Sequence, residues 1–504
     1  VTLVNWVPIA ILCTSLIPAT VIFLLREDQV IARTVLNLVG AVAKLGLVVV
    51  LIPPVVAGQR IEWRSPFLPG IDFVLRVEPF ALYFLGLSAF LWLLTTIYAI
   101  GYLEGRDHRS RFFAFFSLSV AATSGIALSG NLITFLVCYE LLTVATYPLV
   151  AHNQTKAAMA GAKTYLTFTL TGGAVLLLGV VWLTYEAGPV EFREKGSLAV
   201  AEFARAEPMV ATVIFVLILA GMGVKAALFP LHAWLPRAMV APAPVSALLH
   251  AVAVVKAGVF GIVLLIDEVY GVYVADELGV LTPLAILASF TIIYGSVQAL
   301  RNDNFKRRLA FSTVSQVSYV ILGASLVSVV ATTGGVVHIV HQGLMKITMF
   351  FVAGLLAETI GVSTVSRMNG VGRRMPLTCA AFTVAALGMI GIPPVAGFVS
   401  KWYLGLGAIE AGDGWVVVVL VTSSLLNAGY FLPIVYRMWW VEPDRGVTWT
   451  TPPSLHRPRL EAPLALLVPT ILTAVSALAA GLFAGLPYSP LQVARVIVEG
   501  TYGQ

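Results

Sequence analysis

Cysteine is scarce in this chain. Cys13, Cys138 and Cys379 are the three among 504 residues, each inside an apolar run and none in a CxxC pair. That spacing excludes a disulfide framework and a thiolate metal cluster, and each cysteine reads as a small buried hydrophobe. Charge is scarce too: Asp, Glu, Lys and Arg make up 11% of the residues against 59% hydrophobic. A soluble enzyme is excluded. The chain has no GxxxxGK(S/T) loop, no GxGxxG following a strand, and no CxxCH. No phosphate cradle, dinucleotide fold or covalent haem is expected, and no cofactor. Energy for any work then comes from an ion gradient or from another subunit.

Long apolar runs are what the chain has instead. Roughly 20 residues at 1.5 Å rise cross a hydrocarbon layer of about 30 Å. About 14 such runs can be placed, near 5–25, 34–53, 78–101, 112–129, 131–151, 164–185, 209–235, 243–266, 278–299, 309–330, 334–356, 377–408, 415–436 and 463–485. The expectation is an all-α polytopic membrane protein forming a single membrane domain over 1–504. The first run has no basic flank and no small-residue cleavage site, so it reads as a retained helix. The longest polar stretch, about 186–208, is short and acidic and hides no soluble domain. No long amphipathic tail is expected after the last run.

Lys and Arg fall mainly in the loops after odd-numbered runs, among them Arg26, Arg33, Arg106, Arg109, Arg111, Arg301, Lys306, Arg307, Arg308, Arg445, Arg457 and Arg459. Fewer, such as Arg60, Arg64, Arg76 and Arg193, fall on the other side. The basic side faces the cytoplasm, so both termini are expected outside it, in the cell membrane of a prokaryote. The net charge of +6 expresses this bias, and nucleic acid is not an expected partner.

Two runs contain proline in their middles. The seventh reads LAGMGVKAALFPLHAWLP, with Lys225 just before Pro230; the twelfth reads LGMIGIPPVAGFVSKWYL, with Pro393 and Pro394 just before Lys401. Proline removes a backbone bond, and a membrane tolerates that where protein or water satisfies the freed groups. Taking 112–266 and 278–436 as two sets of five runs, the broken helix is fourth in both. Sets with an odd number of spans are inverted relative to each other, the pattern of repeat-built transporters. Residues 1–111 and 463–504 then flank the repeats.

Inside the runs lie Glu140, Lys44, Lys225, Lys256, Lys346 and Lys401, with His232, His250, His338 and His341. A charge at mid-membrane costs about 2.5–3.5 kcal/mol even on lenient scales, so the default reading is a path for protons or ions. Glu140 is the lone acid deep in a run, and Lys225 is its candidate partner. Moving one from the other would favour the neutral amine and release a proton, a switch built from one ion pair. His250 lies six residues before Lys256, about 9 Å along a continuous helix, a gap that waters bridge. His338 and His341 are i, i+3 neighbours on one face with Lys346 beyond. Metal binding is a weak rival for a histidine pair with no acid nearby. Lys401, past the second break, ends the relay or reaches water. His232 reads as structural, and Lys44, without a partner to name, as snorkelling or touching another subunit.

The stretch VKAALFPLHAWLPRAMVAPAPVSALLHAVAVVKAG, together with HIVHQGLMKITMFF and GIPPVAGFVSKWYL, resembles the proton-translocating antiporter-type membrane subunits. That family includes the large subunits of Mrp-type cation/proton antiporters, the antiporter-like subunits of respiratory complex I and those of membrane-bound hydrogenases. The resemblance covers nearly the whole chain. It implies fourteen helices, two inverted five-helix repeats and a hydrated mid-membrane axis. By analogy Glu140 and Lys225 take the family's glutamate–lysine pair, His250 and Lys256 its central relay, His338 and Lys346 its eleventh-helix positions, and Lys401 the terminal residue of the twelfth. The length and the lysine at 401 favour a likeness to the D-type subunit of an Mrp sodium/proton antiporter. Gln342 departs from the relatives that carry a second histidine there, and His341 lies one position earlier.

The resulting expectation is a transporter subunit, not an enzyme by itself. Protons move along the row, coupled to Na+ by other membrane subunits of a hetero-oligomeric complex set in membrane lipid. The rival is a pump module in a redox complex, powered by electron transfer elsewhere. A pure scaffold is a poor account of so many buried charges.

Overall fold

The computed structural model describes residues 3–444 and 461–503; Arg445, Arg457 and Arg459 lie outside them. The elements run α1 (Val7–Leu24), α2 (Val30–Val56), β1 (Ile61–Leu68), β2 (Ile71–Val77), α3 (Pro79–Tyr102), α4 (Arg109–Ala127), α5 (Leu132–Val150), α6 (Lys156–Ala187), α7 (Leu198–Ala206) and α8 (Pro208–Lys225). Then come α9 (Trp234–Arg237), α10 (Ala243–Ala251), α11 (Val254–Leu264), α12 (Val272–Glu277), α13 (Leu281–Leu300), α14 (Phe305–Ser325) and α15 (Val329–Ile360). The chain closes with α16 (Val371–Arg374), α17 (Pro376–Ile390), α18 (Ala396–Glu410), α19 (Trp415–Trp439), α20 (Leu464–Leu482) and α21 (Pro490–Tyr502).

The protein is an all-α polytopic membrane protein. Among the described residues, twelve helices are long and apolar enough to cross a bilayer. Two more expected runs are present in other forms. One is α14, 21 residues with a polar, buried face. The other is split into α17 and α18, 15 residues each. Sequence signals set the ends. Asn131, Thr155, Asn304, Ser328 and Ser489 each precede a helix and accept a backbone N–H from its first turn, and proline opens α3, α8, α17 and α21, where its missing N–H costs nothing.

Three features depart from expectation. A twisted two-stranded hairpin, Ile61 opposite Val77, fills the loop before α3. Its polar edge is stitched by arginines: Arg76 contacts Glu62 at 2.8 Å and Glu191 at 2.7 Å, and Arg64 contacts Glu191 at 2.6 Å. The eighth run does not stop near 266; a π turn carries it to Tyr270 and buries Asp267 and Glu268. Glu140 is therefore not the lone acid in a span. Third, a 13-residue amphipathic helix, α21, follows the last span.

At the centre stands α15, a 32-residue helix buried along nearly its whole length. It packs on α3, α10, α14, α17, α18, α20 and α21, so its polar residues face protein and not lipid. Peripheral helices keep apolar faces outward, for example Val39 and Val49 on α2, Leu178 on α6 and Val418 and Leu425 on α19. Those faces suit lipid tails or neighbouring apolar helices.

Candidate functional site

Three of the described spans are interrupted, and a lysine stands near each interruption. α8 ends at Lys225, and the chain turns through Ala227, a non-glycine residue at φ +55, a conformation that costs energy for an L side chain. Trp234 repairs one loose end by donating its indole N–H to the Val224 carbonyl at 2.7 Å. α17 stops at Gly391, whose φ of +96 only glycine adopts freely. The third break falls between α10 and α11, at Val252 and Ala253. It separates His250 from Lys256, so the rise expected for one continuous helix does not apply to them.

Lys225, Lys256 and Lys346 are fully buried, and main-chain oxygen holds each. Lys225 donates to the Tyr139 carbonyl and lies 3.3 Å from the centroid of the Tyr139 ring. Lys256 donates to the Ile339 carbonyl of α15 at 2.8 Å. Lys346 donates to the Leu309 carbonyl at 3.2 Å and to Ser312 Oγ, with the Phe431 ring 5.8 Å away. Lys401 is half-buried and reaches back across its break to the carbonyls of Met389 (3.0 Å) and Ile390 (2.8 Å) and to Ser424 Oγ (3.0 Å). The Tyr319 ring lies 5.3 Å from it.

His250, His338 and His341 are likewise fully buried. His250 touches Met239 Sδ at 3.3 Å and stacks on Phe350. His338 Nδ1 is 2.8 Å from Ser400 Oγ, and its ring faces Tyr319. Neither nitrogen of His341 has a hydrogen-bond partner among the described residues, nor has His338 Nε2, His250 Nδ1 or either end of Gln342. His338 is within electrostatic reach of Lys256, His341 and Lys401, Lys346 of Lys256, and His250 of Lys346 and Lys306. Gly258 brings α11 directly onto the backbone of Lys225 and Ala226, where a Cβ would collide.

Glu140 and Lys225 are within electrostatic reach of each other, yet the contact pair is not closed. Lys225 is held by the Tyr139 carbonyl, and Glu140 Oε1 has no hydrogen-bond partner among the described residues. Glu140 sits partly exposed on α5, its carboxylate against Gly173 of α6. His232 is buried among Phe229, Tyr294 and Phe311, a packing role. Lys44 does not snorkel. It is fully buried between helices of this chain, bonded to Ser15 and Ser124.

Sequence reasoning missed the groups that hold the lysines and His338. Tyr139, Ser312, Tyr319, Ser400 and Ser424 carry no charge to draw attention. A signal existed for α14, where Ser312, Ser315, Gln316 and Tyr319 recur at helical spacing inside a membrane run.

Buried amines and imidazoles, most of them beside a hydroxyl, an aromatic face or an unsatisfied polar atom, define a class: an integral membrane protein with a titratable interior. Residues 129–427 match the family described as NADH:quinone oxidoreductase/Mrp antiporter, TM, and the chain belongs to that family. It is 36% identical over 431 residues to the N-type subunit of the NADH-quinone oxidoreductase of Desulforudis audaxviator (strain MP104C), across 84% of this chain and 83% of that one. It is 28% identical over 397 residues to the D-type subunit of the Na(+)/H(+) antiporter of Bacillus subtilis (strain 168), across 78% of this chain and 77% of that one. Among solved structures, a chain of the Mrp complex from Dietzia sp. DQ12-45-1b shares the fold, with a TM-score of 0.87, 22% identity, and coverage of 100% of this chain and 98% of that chain.

Proposed function

We propose that this chain is the proton-translocating membrane subunit of a multisubunit monovalent cation (Na+)/H+ antiporter. The observation that carries the reading is the series of buried lysines with histidines between them. A desolvated lysine exchanges its proton readily, and so does imidazole. Orphaned nitrogens on His250, His338 and His341 call for water, which conducts protons between side chains too far apart to touch. Glu140, Lys225, His250, Lys256, His338, His341, Lys346 and Lys401 form the path in this reading. Glu140 works as an input at the partly exposed end: a neighbouring subunit that alters its charge alters the charge Lys225 can hold.

The two inverted repeats, 112–266 and 278–436, belong to the same proposal, supported by a lysine-bearing broken helix in the fourth place of each. So do the prokaryotic cell membrane and termini on its non-cytoplasmic face. Other membrane subunits supply the cation site in this reading, because Glu140 is the one carboxylate among the proposed path residues and offers sodium few oxygens.

A second reading replaces the cation partner with a redox one, making the chain the proton-pumping subunit of a complex I-like assembly. The identity to the N-type subunit of an NADH-quinone oxidoreductase favours it. Two measurements on membranes holding the whole complex separate the readings: proton movement on addition of Na+, and proton movement on addition of a reduced electron donor. The path itself is tested by Glu140→Gln and Lys225→Ala in the assembled complex. Both are expected to abolish coupled proton transport, and normal transport in either overturns the switch.

A further inference from the structure

Lys44 stands apart from this series, on α2 among the flanking helices. Its surroundings repeat the chemistry of the lysines in the path. The side chain is fully buried. Its ammonium donates to Ser15 Oγ of α1 at 3.0 Å and to Ser124 Oγ of α4 at 2.5 Å, and lies 4.6 Å from the centre of the Trp92 ring of α3. Lys346 has a serine hydroxyl and a phenyl ring; Lys401 has a serine hydroxyl and a tyrosine ring.

A polar file leads to it. On α2, positions 33, 37, 40 and 44 fall at i, i+4, i+7 and i+11, one face of a helix. Arg33 donates to Ser110 Oγ at 2.7 Å, and Ser117 donates to Asn37 Oδ1 at 3.1 Å. At Gly40 the neighbour is the carbonyl of Thr14, which a Cβ would strike; Pro18, four residues on inside α1, has no N–H to offer that carbonyl. Arg33, Asn37, Ser110 and Ser117 are all buried. The file begins beside exposed Glu27, whose backbone oxygen lies 3.4 Å from Arg33 and whose carboxylate accepts the N–H groups of Arg109 and Ser110. Each step along α2 is about 4.5–6 Å, the span of one water.

A separate observation marks the inner end. Ser88 Oγ, Trp92 Nε1 and Thr96 Oγ1, at i, i+4 and i+8 on α3, are buried with no hydrogen-bond partner among the described residues. Groups like these, in a membrane, are satisfied by water.

We propose that Lys44 is a further proton-exchanging lysine, fed from the basic face through the Arg33–Asn37–Thr14 carbonyl file. The ammonium gives a proton to water and becomes an amine; a proton handed from that face along waters held by Arg33, Asn37 and the Thr14 carbonyl, which themselves do not titrate, restores it. Other titratable or charged residues on the helices around it are Arg33 on α2 itself, Cys13 on α1, Tyr83, Tyr98 and Tyr102 on α3, and Arg109 and Arg111 on α4. None of them hydrogen-bonds to Lys44, and no carboxylate among the described residues neutralises it. The proposal rests on the reading of the chain as a proton translocator.

The test uses the assembled complex with Lys44→Arg, Lys44→Met or Ser117→Ala, and Lys225→Ala as the control on the main path. Assembly is scored on native gels, and proton translocation into vesicles is followed across pH. Arginine keeps the charge and the aromatic contact but does not deprotonate. Both Lys44 variants are expected to assemble and to run at least about tenfold slower. Ser117→Ala, which cuts the file without touching the lysine, is expected to slow transport and displace its pH profile. A full rate with an unchanged profile in Lys44→Arg makes Lys44 an anchor and overturns the proposal. The same result in Ser117→Ala overturns it where the lysine variants do not assemble. Full transport in Lys225→Ala as well places the failure in the main path reading instead.

Discussion

Replacing Lys401 by arginine separates a residue that passes protons from one that only holds charge. Its ammonium makes three hydrogen bonds, to Met389 O, Ile390 O and Ser424 Oγ. Two of these oxygens end α17, where carbonyls have no helical partner and the helix dipole favours a cation. A guanidinium meets the same oxygens with donors to spare, and charge-assisted bonds of this kind contribute about 1.5–3 kcal/mol each. The cation therefore stays. Its proton does not leave: arginine starts roughly two to three pKa units above lysine, so its neutral form is about 100- to 1000-fold rarer in the same surroundings. If each turnover passes through a neutral residue 401, translocation falls by a comparable factor. Alanine acts differently. It leaves Ile390 O without its donor, at about 1–3 kcal/mol, whereas Met389 O keeps Asn427 at 3.0 Å. The assay is dye-monitored acidification of inside-out vesicles carrying the complex, with assembly measured beside it. An arginine variant that assembles and runs at more than about half the parental rate refutes the relay role and leaves Lys401 an electrostatic anchor.

The purified chain alone in liposomes is expected to show no sodium-dependent pH change, since the proposed path holds one carboxylate and the described residues hold no group of three or more His, Cys, Asp or Glu placed to bind a metal ion; robust exchange by the lone chain would make it a complete antiporter. Trp234→Phe removes the N–H that serves Val224 O and should lower the stability of the assembled protein by about 1–3 kcal/mol, read as an earlier thermal transition in detergent; an unchanged transition argues that water takes over the carbonyl. For the hairpin, burial alone would raise the Glu62 carboxyl, but hydrogen bonds from Arg60, Arg76 and Arg64 outweigh it and hold the group at about 2, below its usual 4.5. A depressed carboxyl stabilises the fold above its unfolded value and loses that contribution as pH falls through the folded one. Hairpin amides should thus stay protected from hydrogen exchange at pH 5 and lose protection between pH 4.5 and about 2; protection that is flat across that window removes Glu62 from the account.

The membrane runs were legible because hydrocarbon thickness dictates their length, and two of the three breaks because proline marks them. The break at Val252 and Ala253 was not: AVAVVKAG has neither proline nor an interrupting glycine, and tertiary packing sets the bend. The hairpin was hidden by its own chemistry, since Arg60, Glu62, Arg64, Asp72 and Arg76 read as a polar loop until their cross-strand partners are known. Asp267 and Glu268 were lost to a boundary drawn at 266, four residues short of Tyr270. The lysines and histidines of the path announced themselves by cost. Their partners did not, because a carbonyl oxygen belongs to every residue, and which one faces Lys256 depends on how α15 packs.

That choice of partner has an electrical consequence. A lysine paired with a carboxylate leaves a bare anion behind when its proton departs, and the anion pulls the proton back. Lys225, Lys256, Lys346 and Lys401 lean on main-chain dipoles, which carry no net charge to strand. In the proposed path each would alternate between ammonium and amine without creating an opposite ion, so that a vacancy would travel along the series with little restoring force. Glu140, beside Lys225, is the member of the series able to supply such a force. On that proposal the series is lopsided, free-running over most of its length and governable from one end. Charge-swap rescue, the usual proof of an ion pair, has nothing to exchange at the other lysines, because no substitution replaces a carbonyl.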